Sequence, residues 1–312
     1  MLNISYNISP RLNEYLSQIE NLRKQILLTP ITPEAEFQLK WNAIFKRTYC
    51  LLKLTGNPLG KSEVLKTLTG ITRRKMNHDQ QEIIRYKKAQ DYIFQNWLGS
   101  EKPVDAQAII ALYKMIGDGK LRVPQAGLQH LLDYIQASSE NPVIQAAIMC
   151  IEMEKMQLFS KNNKQIACLT SLLFLYKYGW DFKGFMAYEV EWLKDEKKYK
   201  ENCQRAQITI NLTIWLEYFA NSVLKQAEAI IFSLKTPKQD GLGLTKSFLT
   251  LNERQKSILD CLDQPQAGIT NRQVQEEYKV SQITASRDLA KLTNLRCLFS
   301  HGKGRSVYYT KI

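Results

Sequence analysis

Residues 156–169, MQLFSKNNKQIACL, join two stretches that are apolar on nearly every face, VIQAAIMCIEMEKM (143–156) and IACLTSLLFLYKYG (166–179). A helix that is apolar all round belongs at a domain centre, so the crossing connects two central helices, the second ended by Gly179. Such a joint binds anions when its loop amides point inward and the following helix aims its N-terminus at the ligand. Lys161, Asn162, Asn163 and Lys164 would then attract phosphate through charge and helix dipole, without metal. A solvated polar loop is the alternative, since the crossing holds no glycine, acid or histidine.

The flanking sequence predicts more helices. Leu12, Tyr15, Leu16, Ile19, Leu22 and Ile26 recur at helical spacing, PITPE (30–34) breaks the pattern, and Phe37, Trp41, Ile44 and Phe45 mark a second helix. KLTGNPLGKSE (53–63) reads as a turn-rich joint, and a third amphipathic helix runs from about Asp79 to Trp97. Beyond Val104 come a helix at AIIALYKM, a loop at GDGKLRVP (117–124), a helix around LQHLLDYIQ and a break at SSENP before Pro142 opens the first central helix. Within LQHLLDYIQ, His130 and Asp133 lie one turn apart, but no nucleophile is placed beside them, so an exposed helical contact is expected. Residues 187–235 add helices, among them the solvated run KDEKKYKEN, and 236–250 has the Pro, Gly and polar content of a linker.

With 312 residues, 44% hydrophobic and 23% charged, the chain is long enough for two or three globular domains. No apolar run is long enough to cross a membrane, and MLNISYNISPRLNEYL lacks the layout of a secretion signal, so a soluble cytoplasmic protein without a membrane partner is expected. The six cysteines (50, 150, 168, 203, 261 and 297) form no CxxC pair and have no histidine at metal-ligand spacing, which predicts reduced thiols and no metal site. A formal charge of +13 favours anionic partners, nucleic acid or nucleotide ahead of membrane.

Much of that charge sits at the C-terminal end. From Lys279 onward the cations are Lys279, Arg287, Lys291, Arg296, Lys303, Arg305 and Lys311, against the single anion Asp288. LNERQKSILDCLDQ predicts one helix with Asn252 as cap, and ITNRQVQEEYKV a second, capped by Thr270 or Asn271. SQITASRDLAKLTNL predicts a third, capped by Ser281, with Ala285, Leu289 and Leu292 as its buried stripe. Gln282, Ile283, Ser286 and Arg287 then lie on its outer face, with Thr284 and Lys291 on the flanks. CLFS and SVYYT follow as two strands around the basic, glycine-containing HGKGR. Three short helices and a hairpin resemble a winged helix-turn-helix. That resemblance implies DNA as partner, with the third helix in the major groove and Lys303 and Arg305 of the wing on phosphates. A winged helix used for protein contact is the alternative, and Asp288 on the reading face would oppose phosphate unless it orients Arg287.

NPVIQAAIMCIEMEKMQLFSKNNKQIACLTSLLFLYKYG resembles the central segment of Fic-domain proteins, where His-Pro-Phe-x-(Asp/Glu)-Gly-Asn-Gly-Arg-x-x-Arg lies between two core helices. The helix-loop-helix layout, Pro142, Phe159 and Asn163 carry the resemblance. It implies a histidine base, an acid holding Mg²⁺, glycine-flanked amides cradling phosphates, and two arginines on a nucleotide. At those positions this chain has Gln157, Leu158, Phe159, Lys161, Asn162, Asn163, Lys164, Gln165 and Cys168. Gln157 is no base near neutral pH, and Lys161 repels the metal a carboxylate would hold. The family's inhibitory Ser/Thr-x-x-x-Glu-Gly/Asn motif finds its best match in LLKLTGN (51–57), with Thr55 at the glutamate, then Gly56 and Asn57. In the family that glutamate pairs with the second arginine, here Cys168. GDGKLRVP resembles the segment before the family's flap, which aligns a target peptide by strand pairing; a plain surface turn is the alternative.

The expected fold is therefore mainly α: an N-terminal helical region (1–99), a Fic-like helical core (100–235), a linker (236–250) and a small winged-helix α+β domain (251–312). The expected function is DNA binding of a transcription-regulatory kind, on a catalytically degenerate Fic-like body, with no cofactor beyond weak metal-free nucleotide binding. A homodimer would suit paired DNA half-sites. An AMP-transferring Fic enzyme with atypical residues, or a scaffold holding a protein target in the Fic-like groove, are the alternatives.

Overall fold

Side-chain oxygens and prolines start most helices of the chain. The computed structural model describes residues 4–70, 76–117, 119–122, 124–137, 140–236, 251–262, 264, 267–295, 297–302 and 304–311. Ser9 caps α1 (Pro10–Leu28) by accepting from the Leu12 amide, and Thr32 caps α2 (Pro33–Leu54) through the Ala35 amide. Helix α3 (Lys61–Leu68) starts at Gly60, whose amide donates to the Glu63 carboxylate. Reciprocal bonds between Asn77 and Gln80 open α4 (His78–Asn96), and Asp105 caps α5 (Ala106–Ile116). After α6 (Gln125–Ala137), Asn141 caps α7 (Pro142–Met156), and α8 (Asn163–Lys177) returns beside it. Helices α9 (Glu189–Lys194), α10 (Glu196–Ile208) and α11 (Thr213–Lys235) complete the body.

The two central helices are buried on every face, α7 from Val143 to Glu154 and α8 from Gln165 to Lys177. Around them the largest cluster joins α1 and α4 to α11. Trp192, Tyr199, Trp215 and Phe219 form an aromatic group at centroid spacings of 4.7 to 6.2 Å. Each aromatic of this kind adds roughly 1.5–3 kcal/mol by burial, and the Trp215 Nε1–H is satisfied by the Ala147 carbonyl at 2.8 Å. No described helix is long and apolar enough to cross a membrane.

The C-terminal unit runs α12 (Glu253–Asp260), β1 (Gly268–Thr270), α13 (Asn271–Tyr278), α14 (Gln282–Asn294), β2 (Leu298–His301) and β3 (Tyr308–Lys311). Its antiparallel sheet has the order β1-β3-β2, with Ile269 opposite Tyr309 and Ser300 opposite Tyr309 on the other edge. A small core of Ile258, Val274, Ala285, Leu289 and Leu292 lies between helices and sheet. Leu295 packs with Trp41, Phe45, Val64 and Leu68 of the body, and Cys297 lies against both cores, so α2 and α3 are the seat of the C-terminal unit.

Two expectations change. Residues 53–63 are no simple joint: α2 runs to Leu54, the turn is confined to Thr55–Gly60, and α3 starts at Lys61. The expected hairpin forms between β2 and β3 but widens to a three-stranded sheet, because Gly268–Thr270 pairs with the other edge of β3 from far away in sequence. Apart from Thr236, the linker expected at 236–250 lies outside the described residues.

Candidate functional site in the loop after the central helix

Between α7 and α8 the backbone turns through two left-handed residues, Gln157 (φ 44°) and Asn162 (φ 58°). Asparagine is among the few side chains that tolerate this region. Asn163 then ties the loop together: its Oδ1 accepts from the Phe159 amide (2.9 Å), and its Nδ2 donates to the Phe159 carbonyl (2.8 Å) and to Gln157 Oε1 (3.2 Å). Gln157 Nε2 donates back to the Glu154 carbonyl at 2.7 Å, so both ends of its amide are engaged in holding the turn. Phe159 is buried and stacks on Tyr113 with centroids 3.6 Å apart. Leu158 is buried beside it, and Lys161 is exposed.

The segment 119–122 is a strand partner for this loop and not a plain surface turn. Arg122 donates to the Leu158 carbonyl at 2.7 Å, Ser160 donates to the Lys120 carbonyl at 3.0 Å, and the Lys120 amide donates to Ser160 Oγ at 3.0 Å. Leu121 and Phe159 form the antiparallel bridge at the centre of the contact. Gly119 fits only because it lacks a side chain: a Cβ there would overlap the Tyr113 hydroxyl and Ser160 Oγ.

Lys164 reaches sideways, with Nζ 4.8 Å from the centre of the Tyr199 ring. Behind it Glu154 is buried and accepts from Gln207 Nε2 at 3.3 Å. Burial raises the Glu154 pKa, opposed by the Lys164 charge and the Gln207 hydrogen bond. Gln165, only 3% exposed, donates to Glu82 Oε1 at 2.7 Å and to Thr55 Oγ1 at 3.4 Å. Asn57 Nδ2 donates to the other Glu82 oxygen at 2.6 Å, and Gly56 takes the left-handed turn between them (φ 96°).

The stretch Thr55–Asn57 therefore does reach the loop-and-helix junction, but it meets residue 165 where the sequence suggested 168. Cys168 is fully buried, and its thiol pKa is driven well above the ordinary value by burial first and then by the hydrogen bond with Cys150. Glu82, which bridges Asn57 and Gln165, was not found from sequence; it lies 83 positions from Gln165, and no local motif marks it. His130 and Asp133 are both exposed on α6, where Asp133 accepts from Gln129 Nε2 at 2.8 Å.

Mg²⁺ does not fit this loop. A lysine stands where a carboxylate would be needed, the nearby Glu154 faces Lys164 and Gln207, and among the described residues no group of three His, Cys, Asp or Glu could hold a metal ion.

On α14 the side chains sort as the periodicity predicts. Gln282, Ile283, Ser286 and Arg287 are exposed, Thr284 and Lys291 are half-buried, and Ala285, Leu289 and Leu292 face the core. Ser281 caps the helix, accepting from the Thr284 amide, and its hydroxyl also meets Thr284 Oγ1 at 3.0 Å. Asn271 of α13 donates to Ser286 Oγ at 2.9 Å, which fixes the two helices against each other. Asp288 corrects the sequence reading: it is 4% exposed and points inward, accepting from Arg254 Nε at 2.6 Å and Gln255 Nε2 at 2.7 Å. Lys303 and the Arg305 side chain lie outside the described residues.

Solved structures share this fold. A Fic family protein from Desulfovibrio desulfuricans G20 superposes with a TM-score of 0.62 at 14% identity, covering 99% of this chain and 98% of that one. The fold is a Fic fold. A Fic domain containing signaling protein from Bacteroides thetaiotaomicron VPI-5482 gives 0.59 at 17% identity over 74% of this chain and 100% of that one. Fic-1 (residues 134–508) from C. elegans gives 0.61 at 17% identity over 73% and 74%. The sequence matches no protein-family model and no curated protein. Identities this low speak for the fold and leave the chemistry to the residues.

Proposed function

We propose that this protein binds DNA through a C-terminal winged helix, and that its Fic-fold body, whose motif is degenerate, serves as scaffold or sensor in a cytoplasmic regulator. The observation that carries this reading is the inward turn of Asp288 onto Arg254 and Gln255. It leaves the outer face of α14 with Gln282, Ser286 and Arg287 and without an acid, the character needed beside base edges and phosphates. The seven cations against one anion from Lys279 onward supply the long-range attraction.

Two features argue against transfer chemistry in the body. Gln157 and Asn163 spend their amides on the loop itself, and neither provides a base. Gln165 is held by Glu82, so a nucleotide phosphate would meet a carboxylate behind it. Metal-free phosphate binding would rest on Lys161 and Lys164 alone, and a protein target would have to displace residues 120–122 from the loop edge.

A gel-shift titration with random duplex DNA, run on the wild type and on Arg287→Ala, tests the proposal. Affinity should fall by orders of magnitude between about 50 and 200 mM salt, and Arg287→Ala should weaken it further. Affinity indifferent to salt and to Arg287 would remove DNA from the account. Sedimentation at the same protein concentrations checks the homodimer. In the competing reading, labelled ATP with Mg²⁺ marks the protein or a partner, and Gln157→Ala abolishes the mark.

A further inference from the structure

At the far end of α8 from the motif loop, a cavity of about 410 Å³ opens between the body and the C-terminal sheet. Phe94 and Tyr176 form one wall, packed edge to face at 4.4 Å, and Phe299 of β2 closes the other side. Leu98, 62% exposed, stands at the mouth. Such walls, at this volume, suit a flat apolar ring.

The floor is polar. Asp181 is 1% exposed and feels the charges of Arg47 and Lys40, yet among the described residues its Oδ2 has no hydrogen-bond partner, although a buried acceptor left unmatched is costly. The backbone that presents it is unusual: Phe182 (φ 56°), Lys183 (φ 60°) and Gly184 (φ 86°) are left-handed in succession. Gly184 faces the same space, since a Cβ there would lie 3.7 Å from the Phe94 ring and 3.8 Å from Asp181 Oδ2. Strain of order 1 kcal/mol per residue persists where the surroundings hold it for a purpose.

The rim is cationic. Arg23 is engaged with the Gly179 carbonyl at 2.8 Å and lies over Trp180, and Lys40 pairs with Glu36 at 2.8 Å. Lys183 has no ion pair among the described residues. A simple organic cation would meet these charges on its way to Asp181, whereas a neutral ring bearing an N–H and an anionic arm satisfies both ends.

We propose that this cavity binds a heteroaromatic anion, the ring lying between Phe94, Tyr176 and Phe299, its N–H donated to Asp181 and its acidic arm held by Lys183. Two sources share this chemistry, an aromatic carboxylate and a purine nucleotide. The inference stands on the cavity alone and survives or fails independently of DNA binding.

Calorimetric titration of the full chain with indole-3-acetate and, separately, with guanosine monophosphate tests it. At least one should bind with a dissociation constant below about 1 mM, and the tighter of the two identifies the source. Asp181→Asn should weaken that binding roughly tenfold or more. Leu98→Trp, which fills the mouth without touching Asp181, should abolish it and carries the test should Asp181→Asn not fold. No binding of either probe to the wild type, or equal binding to the wild type and Leu98→Trp, overturns the proposal.

Discussion

The loop after α7 and the outer face of α14 are built from much the same side chains, and they spend them in opposite directions. In the loop, Gln157, Asn162 and Asn163 bond to the backbone or to one another, and Gln165 is fastened to Glu82. On α14, Gln282 and Arg287 stand in solvent while the acid of that helix is drawn inside. Polar residues that complete each other stiffen a fold; polar residues left outward are available to a partner. The contrast teaches that composition alone does not identify the working surface, because the direction of each side chain decides it.

The largest expected effect breaks the comparison along pH. Burial raises the carboxyl pKa of Asp181 and of Glu189 to about 7 each, with the Arg47 charge opposing. Both pKa values are higher folded than unfolded, so the folded body binds more protons at these two groups, and their contribution to stability is fully present below the ordinary carboxylate range. Stability then falls as pH rises toward about 7, at roughly 1.4 kcal/mol per pH unit for each proton held. Urea denaturation of the body between pH 5 and pH 8 should show this loss, and Asp181→Asn should flatten it. The C-terminal unit, in which no carboxyl of the described residues is raised by burial in this way, should keep its midpoint.

Next comes Phe159→Ala, which removes a buried ring stacked on Tyr113 and should lower the stability of the body by roughly 3–5 kcal/mol. DNA affinity of the folded fraction should stay unchanged; a parallel loss would show that the loop and α14 act as one unit. Conversely, Arg287→Ala should reduce DNA affinity by about 1–3 kcal/mol and leave thermal melting of the body alone. Smallest of all, Thr55→Ala should change stability by less than about 0.5 kcal/mol, since its contact with Gln165 is long at 3.4 Å and its hydroxyl already donates to the Leu51 and Leu52 carbonyls.

Regions with strong periodicity were legible in the sequence. Uniformly apolar α7 and α8, the caps Asn252 and Ser281, and the stripe Ala285, Leu289, Leu292 all appear as read, and of the two caps offered for α13 the structure uses Thr270. Helix α3 escaped because its eight residues follow Gly56, Pro58 and Gly60, whose turn signals outweigh so short a pattern. Strand β1 escaped because three residues carry no alternation, and only the distant β3 makes them a strand. Asp288 was misplaced since its inward position depends on Arg254 and Gln255, a helix away. At the loop, the residues were identifiable by type and spacing, whereas Glu82 and the pairing of 120–122 belong to tertiary structure that no local pattern encodes.

Gly119 offers an unusual handle. Because even a methyl group there would collide with Tyr113 and Ser160, alanine at this one position acts as a wedge. It would prise the neighbouring strand away and lay bare whatever affinity the polar crossing retains.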